Sequence, residues 1–164
     1  MKKTLLFISL LFPIIMTAQL SGTYTIGTNG NYSSFTSAVS ALTTSGINGP
    51  IVFYVDSGTY NEQITIPAIT GTSSSNTISF IGLSGDSTDA VITYAPTSNT
   101  NNFTVKLNNT SFIKFSNITI SSTGNTMYSN VIVFGNVCSN IEISNCNIVG
   151  TQNSNSSNLI NSQT

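Results

Sequence analysis

Apolar runs return along this chain at nearly even spacing. IVFYV starts at Ile51, ISFIG at Ile78, FTVKL at Phe103 and VIVFG at Val131, so the starts lie 27, 25 and 28 residues apart. A period of this size marks a repeat architecture, in which each unit buries its apolar face only by stacking on its neighbours. The last two periods superpose without a gap at an offset of 28, NFTVKLNNTSFIKFSNITISSTGN from Asn102 over NVIVFGNVCSNIEISNCNIVGTQN from Asn130. Val105 falls on Val133, Asn108 on Asn136, Ser111 on Ser139, Ile113 on Ile141, Ser116-Asn117 on Ser144-Asn145, Ile120 on Ile148 and Asn125 on Asn153. A third copy begins at Asn158-Leu159-Ile160.

Within a copy the apolar residues alternate. Residues two apart share a face of a strand, so Ile113, Phe115, Ile118 and Ile120 point inward while Lys114 and Thr119 point out. The parity resets at Asn117 and Asn145, where an asparagine in a left-handed or bridging conformation turns one short strand into the next. Several short strands per period, in register from period to period, predict a solenoid whose coils pair as parallel strands about 4.8 Å apart. Asn117 then stacks on Asn145 as an asparagine ladder, and Ile113 on Ile141 as an aliphatic stack. Lys114 and Glu142 become neighbours on the outer face, an exposed pair contributing under about 1 kcal/mol. A β-sandwich would also show many short strands with turn signals, but its strands have no reason to repeat in sequence.

One segment carries helical spacing instead. In SSFTSAVSALTTSG, Phe35, Ala38, Val39 and Leu42 fall at i, i+3, i+4 and i+7, after Ser33 or Ser34 as N-cap and before Gly46 as a stop. An amphipathic helix ahead of the first coil would cover the open end of the solenoid. The expected organisation is a leader at 1–18, an N-terminal strand and capping helix at 19–50, and parallel β-helix coils at 51–164, the last of them truncated.

Composition narrows the function. Lys2 and Lys3 precede an apolar run from Leu5 to Met16, and Met16-Thr17-Ala18 offers a small residue for cleavage before Gln19. That is the layout of a secretory signal peptide, and the run is short for a membrane anchor. The expected location is therefore secreted or cell-surface, with no membrane insertion after cleavage. The remaining chain sets Lys106 and Lys114 against Asp56, Glu62, Asp86, Asp89 and Glu142, two cations against five anions for a net charge of −3. With no basic patch, nucleic acid is excluded as a partner. Ser, Thr and Asn supply more than two-fifths of the residues, so the surface must be neutral and rich in hydroxyls and amides. Cys138 and Cys146 are eight residues apart in extended chain, beyond disulfide reach without a sharp turn, and are expected as separate reduced thiols, one of them in the core. Without histidine, a zinc site would need a further ligand type.

With helix, coil and repeat in place, the chain resembles right-handed parallel β-helix proteins of the pectin-lyase-like superfamily. The stretch TYTIGTNGNYSSFTSAVSALTTSGINGPIVFYVDSGTYNEQITIP, Thr23 to Pro67, resembles the N-terminal region of large exported β-helix proteins of the type IX secretion kind. Such proteins run on through many coils to a C-terminal sorting domain, which implies further coils of the same chain beyond Thr164. Pectinesterases share the outline of a capping helix, a strand and then Gly-x-Tyr-x-Glu, here Gly58, Tyr60 and Glu62. The resemblance implies a structural turn at these residues, with the Tyr60 ring packed and its hydroxyl wet.

The chemistry that pectinesterases use, two carboxylates with an arginine, has little to be built from here. After Tyr94 the chain holds one acid, Glu142, and it has no arginine anywhere. Neither a nucleophile with a general acid nor the paired acids of a glycosidase can come from that stretch. A lyase would need Lys106 or Lys114 as base beside Glu142, and both lysines read more simply as solvated outer residues. Asp86 and Asp89 in SGDSTDA are the one acidic cluster, and either join backbone carbonyls around calcium or serve turn chemistry. No catalytic or cofactor-binding residue is assigned, and no cofactor other than calcium is entertained. The expectation is an exported non-catalytic scaffold for adhesion or for binding neutral polysaccharide or a cell-surface glycan. The alternative is the N-terminal part of a pectin-active esterase or lyase whose catalytic coils follow Thr164.

Overall fold

The computed structural model describes residues 18–124, 127–151 and 158–163. The leader up to residue 17 and the Asn125–Asn153 match lie outside the described residues. The chain opens with β1 (Leu20–Ile26) and helix α1 (Phe35–Ser45), then winds through four coils of three strands each. The first coil is β2 (Ile47–Val55), β3 (Gly58–Asn61) and β4 (Ile64–Ile66). The second is β5 (Ile78–Gly82), β6 (Ala90–Tyr94) and β7 (Val105–Asn108). The third is β8 (Ile113–Ser116), β9 (Thr119–Ser122) and β10 (Ile132–Gly135), and the fourth β11 (Glu142–Ser144), β12 (Asn147–Val149) and β13 (Ile160–Gln163).

Successive coils stack every strand on its counterpart. One sheet runs β1-β2-β5-β8-β11, a second β3-β6-β9-β12 and a third β4-β7-β10-β13, all paired in parallel. The fold is a right-handed parallel β-helix, not a sandwich. Coil length varies while register holds, because each strand takes its hydrogen bonds from the coil below and each corner absorbs its own insertions.

The inward positions form columns. Phe53, Phe80 and Phe115 stack at centroid spacings of 5.0 and 5.2 Å, with ring planes 13° and 15° apart. Ile51, Ile78 and Ile113 make a parallel aliphatic column in the same sheet, and Ile92 and Ile120 one in the second sheet, every one of them buried. Phe115 and Ile118 both face the core although they are three apart, which is the parity reset expected at Asn117. Asn117 and Asn145 have φ of 56° and 52°, and Asn109, Asn136 and Asn140 occupy the same left-handed region. Asparagine tolerates that region better than other non-glycine residues, so the corners are largely built from it.

Three expectations are corrected. The 28-residue offset is not gapless. It holds at β8–β11 and β9–β12, but β10 lies on β7 at 27, with Val105 beside Ile132 and Asn108 beside Gly135. The N–H groups of Thr104 and Val105 both donate to the Val131 carbonyl, a local bulge that takes up one residue, and the corner before Ser139 gives it back. Secondly, Thr119 does point outward but is buried, because the Ser84–Asp89 loop folds over it and the Ser87 carbonyl accepts its hydroxyl at 2.7 Å. Thirdly, the asparagine side-chain bonds run through two other columns, in one of which Asn136 Nδ2 donates to Asn108 Oδ1 at 2.9 Å. Asn102 Oδ1 accepts from the Asn130 N–H at 3.1 Å, and Asn130 Oδ1 from the Asn158 N–H at 2.7 Å.

At the N-terminal end, β1 extends the first sheet and α1 packs on β1 and β4 with Phe35, Ala38, Val39 and Leu42 buried. Ser34 is the N-cap. Its hydroxyl accepts from the Ser37 N–H while the Ser37 hydroxyl accepts from the Ser34 N–H, a serine version of the capping box. Gly46 ends the helix at φ 66°, donating to the Leu42 carbonyl. The coil strand β2 starts at Ile47, four residues before the sequence-based boundary at 51.

Candidate functional site

Gly58 and Tyr60 lie on β3, and Glu62 directly follows its end, where its carboxylate reaches the start of α1. Glu62 Oε1 accepts from the Phe35 N–H at 3.0 Å, and Oε2 accepts from the Thr36 N–H at 2.8 Å and the Thr36 hydroxyl at 2.6 Å. A helix start leaves four N–H groups without intrahelical acceptors. Here Glu62 takes two and the Ser34–Ser37 pair takes the others, so the account closes. The Tyr60 ring stands edge-on to Phe35 at 5.2 Å. Its hydroxyl, which the sequence reading left to water, donates between the carbonyls of Asp56 (2.9 Å) and Ile26 (3.1 Å). Burial, then the nearby Asp56 and Glu62 carboxylates, push that phenol above its ordinary range. Gly58 has φ 157°, and a Cβ there would meet only Tyr60 Cε2, at an ordinary contact of 3.9 Å.

Asp86 makes an Asx turn, its Oδ1 accepting from the Thr88 N–H and hydroxyl at 2.8 Å each. Those bonds hold its carboxyl below the ordinary carboxylate range. Asp89 lends its backbone carbonyl to the Gly58 N–H at 2.8 Å. Among the described residues no group of three or more His, Cys, Asp or Glu side chains converges. The Ser87 hydroxyl also accepts from Asn147 Nδ2 at 3.0 Å, so the loop straps the outside of three successive coils. Cys138 and Cys146 are free thiols and both half-buried, so neither is in the fully buried core. Burial pushes the Cys146 thiol up.

The outer face of the first sheet carries one candidate ligand surface. A cavity of about 390 Å³ is walled there by Thr77, Ser79, Phe112, Lys114, Asn140 and Glu142. Lys114 Nζ lies 2.7 Å from Glu142 Oε1, as the stacking of the two periods predicts. That hydrogen bond keeps the Glu142 carboxyl below the ordinary range. A general acid needs the opposite shift, toward the working pH. Lys106 is not brought here. It sits on the third sheet with its ammonium 5.7 Å from the Phe103 ring centroid.

Phe112 is the residue that sequence reasoning missed. Its φ is 60°, left-handed backbone that a bulky side chain rarely adopts, and its ring is half-buried at the cavity edge. One coil on, the equivalent corner is Asn140 at φ 53°, a residue suited to that conformation. The signal was in the aligned repeats, where TSFIKF lies over CSNIEI and an aromatic replaces asparagine at a turn.

No family profile matches the chain, and no curated protein does. Among solved structures, the pectin methylesterase of Aspergillus niger in deglycosylated form superposes with a TM-score of 0.54 at 22% identity, over 79% of this chain and 50% of that one. A second structure of the same enzyme, with an N-acetylglucosamine stub, gives 0.53 at 22% over the same shares. The chain thus spans half the length of those structures, and identity at this level speaks to fold alone. The molecule is a parallel β-helix, a fold it shares with that pectin methylesterase.

Proposed function

We propose that this protein is an exported, non-catalytic β-helix scaffold that binds neutral polysaccharide on the outer face of its first sheet. The observation that carries this is Phe112. Holding a phenylalanine in left-handed backbone costs about 1–2 kcal/mol, which its half-buried ring recovers only in part, whereas asparagine at that corner would be unstrained. Strain kept at a cavity edge, beside hydroxyls and an internally neutralised ion pair, suits an aromatic platform for a sugar ring with hydroxyl-bonding groups around it. One depressed carboxylate paired to a lysine supplies neither a nucleophile with a partner acid nor an unpaired base. Export rests on the leader-like first residues.

The test is retention of the secreted protein in native gels containing galactomannan, with polygalacturonate as the acidic comparison. Galactomannan should retard the wild type and the F112Y variant. F112N should migrate freely while melting within a few degrees of wild type. Retention of F112N equal to wild type would end the proposal.

The fold likeness over half of a pectin methylesterase favours a second reading, in which this is the front of a longer pectin-active enzyme with its catalytic coils after Thr164. Intact mass of the product from its native secreting cells separates the two. A mass near 17.3 kDa less a leader supports the scaffold, and a much larger one the enzyme.

A further inference from the structure

A second cavity, of about 480 Å³, lies where the capping region meets the first coil. One wall is the turn from Gly27 to Ser33 and the other the segment from Asp56 to Tyr60. Both walls are fixed in place. Asn31 Oδ1 accepts from the Thr25 N–H at 2.9 Å and the Thr25 hydroxyl at 3.1 Å, and that hydroxyl accepts from the Asn31 N–H at 3.0 Å. The turn closes with Gly27 N–H to the Tyr32 carbonyl and Tyr32 N–H to the Thr25 carbonyl. The opposite wall is pinned where Tyr60 donates to the Asp56 and Ile26 carbonyls.

Between these walls stands the Asp56 carboxylate, half-buried. Among the described residues nothing donates a hydrogen bond to it. Gly27 makes its room, since a Cβ on Gly27 would lie 2.8 Å from that of Asp56. Around it are the polar side chains of Asn29, Ser33, Ser57 and Thr59, and no cation. Lys106 and Lys114 are engaged elsewhere, over Phe103 and on Glu142. A carboxylate desolvated on one side and left without a donor is a strong acceptor for donors brought by a ligand. The same field, with Glu62 also beside Tyr60, repels an acidic one.

We infer that this cavity is a sugar-binding site, in which Asp56 accepts hydrogen bonds from two adjacent hydroxyls of a neutral sugar and from which uronates are excluded. It is separate from the Phe112 groove and does not rest on the reading of that groove. A single carboxylate among neutral oxygens makes a poor calcium cage, because calcium affinity grows with the number of charged ligands.

Amide correlation spectra of the secreted protein, titrated with neutral galactotetraose and with tetragalacturonate, test it. Galactotetraose should shift the amides of Gly27, Thr28, Asn29 and Ser57, and tetragalacturonate should not. D56N keeps the side-chain shape and removes the charge, and should weaken galactotetraose by about tenfold or more. N29A should weaken it less, and F112N should leave these shifts unchanged. Absence of shifts with galactotetraose, or equal shifts in folded D56N, would overturn the inference. So would calcium chloride moving the same amides in wild type but not in D56N while the sugar does nothing, since the site would then take a cation. Because the readout is by residue, failure here and failure at the Phe112 groove are distinguishable.

Discussion

Removing the Glu62 carboxylate should loosen the cap before it loosens the coils. In Glu62→Ala the N–H groups of Phe35 and Thr36 and the Thr36 hydroxyl lose acceptors at 3.0, 2.8 and 2.6 Å. Thr36 is exposed and water replaces its partner, so most of the cost lies at Phe35, whose side chain is 1% exposed. A donor left unsatisfied there costs about 1–3 kcal/mol. Losing an anion at the positive end of the helix adds about 0.3–1 kcal/mol. The sum, about 1–4 kcal/mol, corresponds to a fall in Tm of about 3–16 °C for a chain of this size. Thermal melts followed by circular dichroism measure the first figure. Hydrogen exchange locates it, with the amides of Val39 and Leu42 expected to exchange faster while those of Ile113 and Phe115 keep their protection. Glu62→Gln retains acceptor oxygen without charge and should fall between. A Glu62→Ala protein within about 0.5 kcal/mol of wild type, or one whose exchange rises evenly over all coils, would refute the reasoning.

Phe80→Ala removes the middle ring of the column between Phe53 and Phe115, and should cost about 3–5 kcal/mol in chemical denaturation. A loss under about 1 kcal/mol would mean the column collapses freely, against the close packing assumed. Asn130→Ala leaves the Asn158 N–H without its acceptor, while the backbone N–H of residue 130 still donates to Asn102 Oδ1, for a loss of about 1–2 kcal/mol in the same assay. The Glu142 carboxyl lies below its unfolded value, so what the ion pair contributes is present above the ordinary carboxylate range. It is lost as the pH falls through the lowered value. In Lys114→Ala, NMR titration of Glu142 should move to higher pH, and an unchanged midpoint would remove Lys114 as the cause.

Function and fold were unequally legible from the residues. The chemistry on offer after Tyr94 was legible as a count, one carboxylate at Glu142 and no arginine, whatever the folding. The Lys114–Glu142 pair was also readable, because a 28-residue period fixes which outward residues meet. Phe112 was not picked out, because its meaning depends on a backbone angle that an aromatic side chain does not advertise. Nor was the Asp56 cavity, whose two walls are some thirty residues apart in the chain and are joined only where the cap meets the first coil.

The sequence by itself determined the repeat, the inward columns and the helix with its serine cap. These follow from periodicity and from local hydrogen bonding, and every residue involved carries its own signal. Tertiary structure alone decided three things: where the period slips from 28 to 27, which asparagine columns carry side-chain bonds, and that the Ser84–Asp89 loop buries Thr119. A parallel coil takes its partners from one turn away, so a bulge at Thr104 or a loop over the outer face alters contacts without altering the pattern of apolar residues. The Gly-x-Tyr-x-Glu segment shows both sides. Its place after the first long strand was plain in sequence, yet that Glu62 caps the helix depends on how the first coil turns back beneath α1.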